Sequence, residues 1–311
     1  MFAGSLAGSL MTAAGEVTAV VAAPPRLAGL RAFARALAAR SAALAGLAIL
    51  VAVTVLALTA PLFIHPGDLE VVNAPGKPMA APSASFPLGT DYAGRSILTL
   101  LIWGTRESLA IGVIATVATM IVGSVIGLLA GHYSGIVSRV LMALTDWFIA
   151  LPSLPLAIAL AAVLGQGQAS ITIAIAVTSW PGTARLIRAQ TIAVEARPFI
   201  ERARALGARD SQLVVRQVLP NVLPFILVSA TLTVASAILS ETTLTFLGLG
   251  NPVDVSWGGM INQALTEGAV DAGAWWYILP PGIAILIVVL GFTLIGRAVE
   301  NILNPRSARK A

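Results

Sequence analysis

The chain has 311 residues, of which 57% are hydrophobic and only 11% are charged. Soluble domains carry about 25% charged residues, so this chain, with a mean hydropathy of +0.90, cannot cover a water-facing surface with polar groups. This composition excludes a cytosolic enzyme. The chain has no cysteine and only two histidines, His65 and His132, which excludes disulfides, thiolate nucleophiles, iron–sulfur clusters and histidine-rich metal sites.

Six apolar runs predict six transmembrane helices, because a spanning helix needs about 20 mostly apolar residues. In chain order the runs cover residues 41–64, 109–130, 140–164, 169–184, 218–247 and 274–296. The third run is interrupted by Asp146, Pro152 and Pro155, and the fourth is the shortest. No run alternates with period two, so the predicted fold class is an all-α polytopic membrane protein rather than a β-barrel.

The basic residues indicate the orientation of these runs. Sixteen of the 19 lie in the two tails or in the connections after the second and fourth runs, and only Lys77, Arg95 and Arg106 lie on the other face. The positive-inside rule then places both termini in the cytoplasm. Because membrane topology accounts for the basic residues, the net positive charge does not indicate nucleic-acid binding. Residues 1–25 carry Glu16 and lack a basic start, so we expect a leader rather than a signal peptide, with either Met1 or Met11 as the start.

These signals define a domain organisation. We expect a partly disordered cytoplasmic tail over residues 1–40, a first transmembrane helix over 41–64 and an extracytoplasmic loop with a short helix over 65–104. A main membrane domain then covers 105–300, and a cytoplasmic tail covers 301–311.

The connection after the fourth run is far longer than a helix bundle needs. It covers residues 185–220, here called the elbow, and holds seven arginines, whereas ordinary bundle connections have about two to eight residues. Residues 196–206 favour a helix, Gly207 a helix end, and residues 213–219 a second short amphipathic helix before Pro220 opens the fifth span. We predict a helix–glycine–helix element that binds a partner. A basic turn lying on anionic lipid headgroups is the alternative.

The motifs of the elbow resemble the Glu-Ala-Ala loop of ABC-importer permeases. Glu201-Arg-Ala203-Arg-Ala-Leu-Gly207 is followed by Leu219-Pro220-Asn221. Six further segments are similar, in order and spacing, to the C-type permease subunit of dipeptide, oligopeptide and nickel importers: residues 87–95, 131–135 with 146 and 150–152, 179–188, 241–250, 256–258 and 303–306. Arg202, Gln217 and Asn304 stand where that branch often has alanine, histidine and aspartate, and the loop after Gly250 is shortened.

The resemblance implies the type I permease fold in a bacterial cytoplasmic (inner) membrane. The implied partners are a homologous B-type permease subunit forming a heterodimer, two ABC ATPase subunits or one fused ATPase, an extracytoplasmic substrate-binding protein and the lipid bilayer. The residues implied to couple to the ATPase are Glu201, Ala203, Gly207, Leu219 and Pro220.

The chain itself carries no ATP-binding motif, because no G-x-x-x-x-G-K-[ST] sequence is present. ATP and Mg would therefore be bound by the partner subunits. We expect a transporter subunit that is not an enzyme, with no catalytic residue, no metal site and no cofactor of its own.

Two carboxylates lie inside the predicted spans, Asp146 and Glu241. Intramembrane acids are candidate functional groups, and these two either line the substrate path or tie helices together. Arg139 lies seven residues before Asp146 on one helix face and favours a structural role for Asp146; for Glu241 both interpretations stay open. The candidate hinges are Pro152, Pro181 and Gly182, for which static kinks are the alternative. The expected interfacial anchors are Trp257, Trp275 and Trp276.

Two other classes of function are less consistent with the sequence. An ion-coupled secondary carrier usually has inverted repeats and more than six spans, and neither is evident. An intramembrane hydrolase would need a catalytic set, but Ser134 beside His132 lies on a loop and no G-x-S-x-G motif is present. The substrate remains open: short peptides are expected, with nickel or another small solute as the alternative.

Overall fold

A computed structural model describes residues 35–303 of the chain. The helices from Ser41 onward are numbered in chain order: α1 (Ser41–Phe63), α2 (Ile97–His132), α3 (Ile136–Ala150), α4 (Ser153–Leu164), α5 (Gln168–Glu195), α6 (Pro198–Ala205), α7 (Asp210–Leu213), α8 (Leu219–Phe246), α9 (Trp257–Thr266) and α10 (Trp275–Leu303). The predicted all-α class is confirmed. The predicted tails, and most of the motif at 303–306, lie largely outside the described residues.

Four helices in this part of the chain are long and apolar enough to cross a membrane. They are Ser41–Phe63, Ile97–His132, the continuous stretch Asp210–Phe246, and Trp275–Ile302. Helices α3 and α4 would add a fifth span if the bent pair is counted as one. The fourth predicted run lies in α5, whose serines, threonines and Arg185 make it less apolar than these helices. Its crossing of the membrane therefore stays a prediction.

The third predicted span is not one continuous helix. Helices α3 and α4 are bent by 90° relative to each other, and the break falls at Leu151 and Pro152. Proline has no backbone N–H and disfavours helical backbone in the residue before it. Leu151 is accordingly extended, with φ −79° and ψ 132°, and Pro152 is the N-cap of α4.

Helix α2 begins earlier than predicted, at Ile97 rather than at residue 109. The Ser96 side chain caps it by accepting a hydrogen bond from the Thr99 N–H at 3.4 Å. Arg106 does not interrupt the helix, because its guanidinium lies over the Trp103 ring, 5.0 Å from the ring centroid. The outer loop predicted over 65–104 therefore ends at Ser96.

The elbow is less independent of the long helices than predicted. Helix α5 continues to Glu195, and α7 runs through a π-helical turn, Val214–Val218, directly into α8. The separate amphipathic helix expected over 213–219 is therefore wrong. A π turn accommodates an extra residue inside a helix, and here it directly precedes α8, whose second residue is Pro220, a residue that cannot donate a backbone hydrogen bond.

Helices α2 and α5 pack closely through glycines spaced four residues apart, a feature that the sequence analysis missed. Gly123, Gly127 and Gly131 face α5, and a Cβ added at any of them would lie only 2.6 Å from an atom of that helix. Small residues with this spacing allow membrane helices to approach until their backbones touch. This contact holds α2 and α5 together, and the end of α5 forms the first part of the elbow.

The loop before α2 is anchored by a buried ion pair. Arg95 Nε lies 2.7 Å from Asp91 Oδ2, and Arg95 Nη1 donates to the Leu69 carbonyl at 2.9 Å. Beneath it, Trp257 is 1% exposed and donates from Nε1 to the Leu101 carbonyl at 3.1 Å. The expectation that Trp257 is an interfacial anchor is therefore wrong, whereas Trp275 is 59% exposed and fits that role.

Candidate coupling surface and polar sites

Helix α6 and Gly207 form the projecting part of the elbow. Gly207 has φ +83°, a left-handed conformation that favours glycine. Its N–H donates to the Arg204 carbonyl at 3.0 Å, and the next N–H, of Ala208, donates to the Ala203 carbonyl at 3.1 Å. These two bonds make a Schellman cap, so the predicted helix end at Gly207 is confirmed.

One face of the elbow is fixed to the bundle by apolar packing. A cluster, here called the elbow core, joins side chains of α2, α5, α6, the π-helical turn and the start of α8: Leu128, Ile187, Val194, Ile200, Val218 and Val222. Leu219 packs against it, whereas Pro220 is exposed. The elbow core thus brings the Glu201–Gly207 segment and Leu219 to one end of the bundle.

The opposite face of the elbow is open. Leu206 is 88% exposed and Val215 60% exposed. Glu201 is also exposed and forms no salt bridge within residues 35–303. An exposed apolar side chain and, within the described part of the chain, an exposed carboxylate without a salt bridge are suited to a protein groove that has basic groups at its edge.

Four polar side chains, here called the His132 cluster, tie the elbow to α2. His132, with a side chain only 2% exposed, lies 2.5 Å through Nδ1 from Glu195 Oε1 and 3.6 Å through Nε2 from Asp210 Oδ1. Glu195 Oε2 lies 3.1 Å from Arg204 Nη2. The cluster therefore joins the ends of α2 and α5 to α6 and α7. The sequence analysis missed it, because its members are distant along the chain.

Asp146 has a different partner from the one expected. Its Oδ1 lies 2.7 Å from Arg185 Nη2 on α5, and both side chains are more than half exposed. Arg139 instead donates from Nε to the Gly135 carbonyl of its own first turn, at 3.4 Å. Asp146 thus forms a tie between α3 and α5, an arrangement that a structural role requires.

Glu241 is completely buried between helices. Two hydroxyls of the same helix, those of Thr242 and Thr245, donate to its carboxylate at 3.4 Å. Helix α8 packs against both α2 and α9, so the buried position of Glu241 favours the interpretation that it ties helices together.

The three candidate hinges occupy different environments. Pro152 lies at the 90° break between α3 and α4. Pro181 is buried within α5, which remains helical on both sides of it. Gly182 follows it, and no atom lies within 4 Å of the position that a Cβ would take there, so the helix has free space on that side.

A polar pocket opens at the end of the bundle away from the elbow. Its polar lining comes from α2, the start of α5, the end of α8, the connection after it, and α9: Glu107, Gln168, Thr245, Asn251, Asp254, Ser256, Asn262 and Gln263. Glu107 falls just outside the predicted second span, which is why the sequence analysis did not treat it as an intramembrane acid.

Comparison with known proteins agrees with the fold and shows the family of the chain. Residues 123–309 match the family described as binding-protein-dependent transport system inner membrane components. The chain is 35% identical over 245 residues to the glutathione transport system permease protein GsiD of Pectobacterium atrosepticum, covering 78% of this chain and 80% of the relative.

Two further relatives are named for dipeptide transport. The dipeptide transport system permease protein DppC of Alkalihalophilus pseudofirmus is 36% identical over 265 residues, covering 85% of this chain and 86% of the relative. The di/tripeptide transport system permease protein DppC of Pseudomonas aeruginosa is 38% identical over 270 residues, covering 85% and 88%.

The fold is also similar to that of a solved transporter chain. A chain of the methionine ABC transporter MetNI in an inward-facing conformation gives a TM-score of 0.52 at 22% identity, covering 65% of this chain and 97% of that chain. The family match and the apolar helices together define a multi-pass membrane transport subunit. The chain belongs to the family of binding-protein-dependent transport system inner membrane components, which confirms the resemblance found in its motifs.

Proposed function

We propose that the chain is the C-type permease subunit of an ATP-driven ABC importer for short peptides. The observation that carries the proposal is the elbow, which packs on the bundle through the elbow core and leaves Leu206 and Glu201 exposed. Peptide transport is supported by the names of the relatives, which refer to dipeptides, di/tripeptides and glutathione.

The proposed assembly contains a homologous B-type permease subunit, two ABC ATPase subunits or one fused ATPase, and an extracytoplasmic substrate-binding protein. The elbow and both termini face the cytoplasm, as the distribution of basic residues favours. Helix α6 enters a groove of the ATPase, where Glu201 meets basic groups and Leu206 is buried. ATP and Mg are bound by the ATPase.

Packed side chains transmit the movement of the ATPase to the helices that line the membrane path. The elbow core and the His132 cluster fix α6 and α7 to the ends of α2, α5 and α8. Because packed cores rearrange between discrete states rather than deform continuously, displacement of the elbow shifts these helices together. Asp146 and Glu241 hold helix pairs in register during this motion, and the break at Pro152 is the candidate hinge with the largest bend.

Reconstitution of the complete complex tests this proposal. The permease pair, the ATPase and the binding protein are placed in proteoliposomes, and uptake of radiolabelled trialanine is measured with ATP or a non-hydrolysable analogue. We expect accumulation only with ATP and loaded binding protein. Accumulation driven by an ion gradient without ATP would instead support a secondary carrier, and uptake of Ni²⁺ but not trialanine would change the substrate class.

A further inference from the structure

We propose that the polar pocket binds the α-ammonium group of the peptide substrate as it enters the membrane path. This inference rests on the proposed function, since it assigns a binding group to that substrate. The pocket is a cavity of about 90 Å³, large enough for an ammonium group, since about 10–15 Å³ of such space already holds a water molecule of similar size.

The lining of the pocket favours a cation that donates several hydrogen bonds. Two carboxylates, Glu107 and Asp254, line it together with several side-chain amides, and no lysine or arginine is among its lining residues. An ammonium group has three donors and no acceptor, and hydrogen bonds from it to carboxylates are among the strong ones. Ile111 and Ile171 supply apolar contact for the carbon atoms next to it.

Glu107 is half-buried at the pocket wall and has, in the part of the chain that the structure describes, one unpaired carboxylate oxygen. Its Oε1 is buried and has no hydrogen-bond partner within the described residues, although buried polar atoms are almost always paired. The neighbouring amides are already engaged: Gln168 Nε2 donates to Asp254 Oδ2 at 3.2 Å, and Asn262 Nδ2 donates to the Phe246 carbonyl at 2.7 Å. A bound ammonium would supply the donor that Glu107 lacks.

The position of the pocket fits the point of entry. It lies where α5 begins and α8 has just ended, whereas the elbow joins the other ends of these two helices. With the elbow in the cytoplasm, the pocket opens toward the side from which a binding protein delivers substrate. Recognition of the amino terminus would also be independent of peptide side chains, because every unmodified peptide carries that group.

The test uses the reconstituted complex with trialanine-loaded binding protein. Glu107→Gln is expected to lower the initial rate of uptake about ten-fold, the loss of roughly one charge-assisted hydrogen bond, while ATP hydrolysis stimulated by loaded binding protein is retained. Asp254→Asn should act in the same direction, and Glu107→Asp, which keeps the charge, should restore part of the rate. The matched control is Glu267→Gln, an exposed acid outside the pocket.

Each outcome decides the proposal. Wild-type uptake in both Glu107→Gln and Asp254→Asn would overturn it, as would a parallel fall of uptake and ATP hydrolysis, which indicates a structural role. If Glu107→Gln does not assemble, Asp254→Asn, which lies in a connection rather than in a helix, decides alone. Absence of ATP-driven trialanine uptake by the wild-type complex would instead overturn the proposed function, and this inference with it.

Discussion

Replacement of Gly207 by aspartate is expected to abolish ATP-driven uptake while leaving the protein folded in the membrane. No atom of the described residues, apart from the chain neighbours, lies within 4 Å of a Cβ added at Gly207, so the start of the new side chain meets free space. The remaining cost is that of left-handed backbone at a non-glycine residue, about 1–2 kcal/mol and less for aspartate. Loss of uptake would therefore report on the ATPase groove, where the added carboxylate lies beside the capped end of α6.

A matched control separates the backbone cost from the loss of docking. Gly165 has φ +87° and also has nothing within 4 Å of an added Cβ, but it lies between α4 and α5, away from the elbow. Gly165→Asp should leave ATPase binding to the permease pair unchanged, whereas Gly207→Asp should remove it in a pull-down of the detergent-solubilised complex. Normal ATPase binding and uptake in Gly207→Asp would show that the elbow does not couple.

Replacement of Gly127 by alanine is expected to destabilise the protein strongly. The added Cβ would lie 2.6 Å from the Ala184 carbonyl oxygen, 2.8 Å from Ile187 Cβ and 3.0 Å from the Arg188 nitrogen. Two of these atoms are backbone, so α2 and α5 must move apart. Overpacking of this kind costs about 1–3 kcal/mol, and we expect a lower midpoint of thermal unfolding in detergent and a smaller folded yield.

Gly182→Ala provides the control on the facing helix. Gly182 is also within a helix, but an added Cβ has nothing within 4 Å, and alanine favours a helix over glycine by about 1 kcal/mol. Its midpoint should stay equal or rise. An unchanged midpoint in Gly127→Ala would contradict the close contact of α2 and α5, and a loss of uptake without loss of stability in Gly182→Ala would support Gly182 as a hinge.

Features encoded locally were predictable from the sequence. The first span, the helix end at Gly207 and the interruption at Pro152 follow from apolar length, from glycine at a helix end and from the missing N–H of proline. The size of the break at Pro152 was not predictable, because a bend angle depends on what the two helices pack against. The predicted start of the second span at residue 109 is later than the start of α2 at Ile97, because Arg106 and Glu107 precede the apolar run and a helix can extend beyond the apolar run that marks it.

Features that depend on distant residues required the structure. Arg139 was the only basic residue near Asp146 along the chain, but the fold places Arg185 of α5 beside it. The His132 cluster joins residues from α2, α5, α6 and α7, and no sequence period relates them. The contact through the glycines at 123, 127 and 131 could have been predicted from the sequence. Their four-residue spacing within an apolar helix is typical of helix contact.

Site-directed cross-linking tests the central claim, that the elbow is the contact with the ATPase. The chain has no cysteine, so Leu206→Cys, at an 88% exposed position, and Val253→Cys, at an 85% exposed position after α8, each introduce one reactive thiol. With a short bifunctional cross-linker and the assembled complex, Leu206→Cys is expected to yield a covalent product with the ATPase and Val253→Cys none. An ATPase product from Val253→Cys and none from Leu206→Cys would contradict the account.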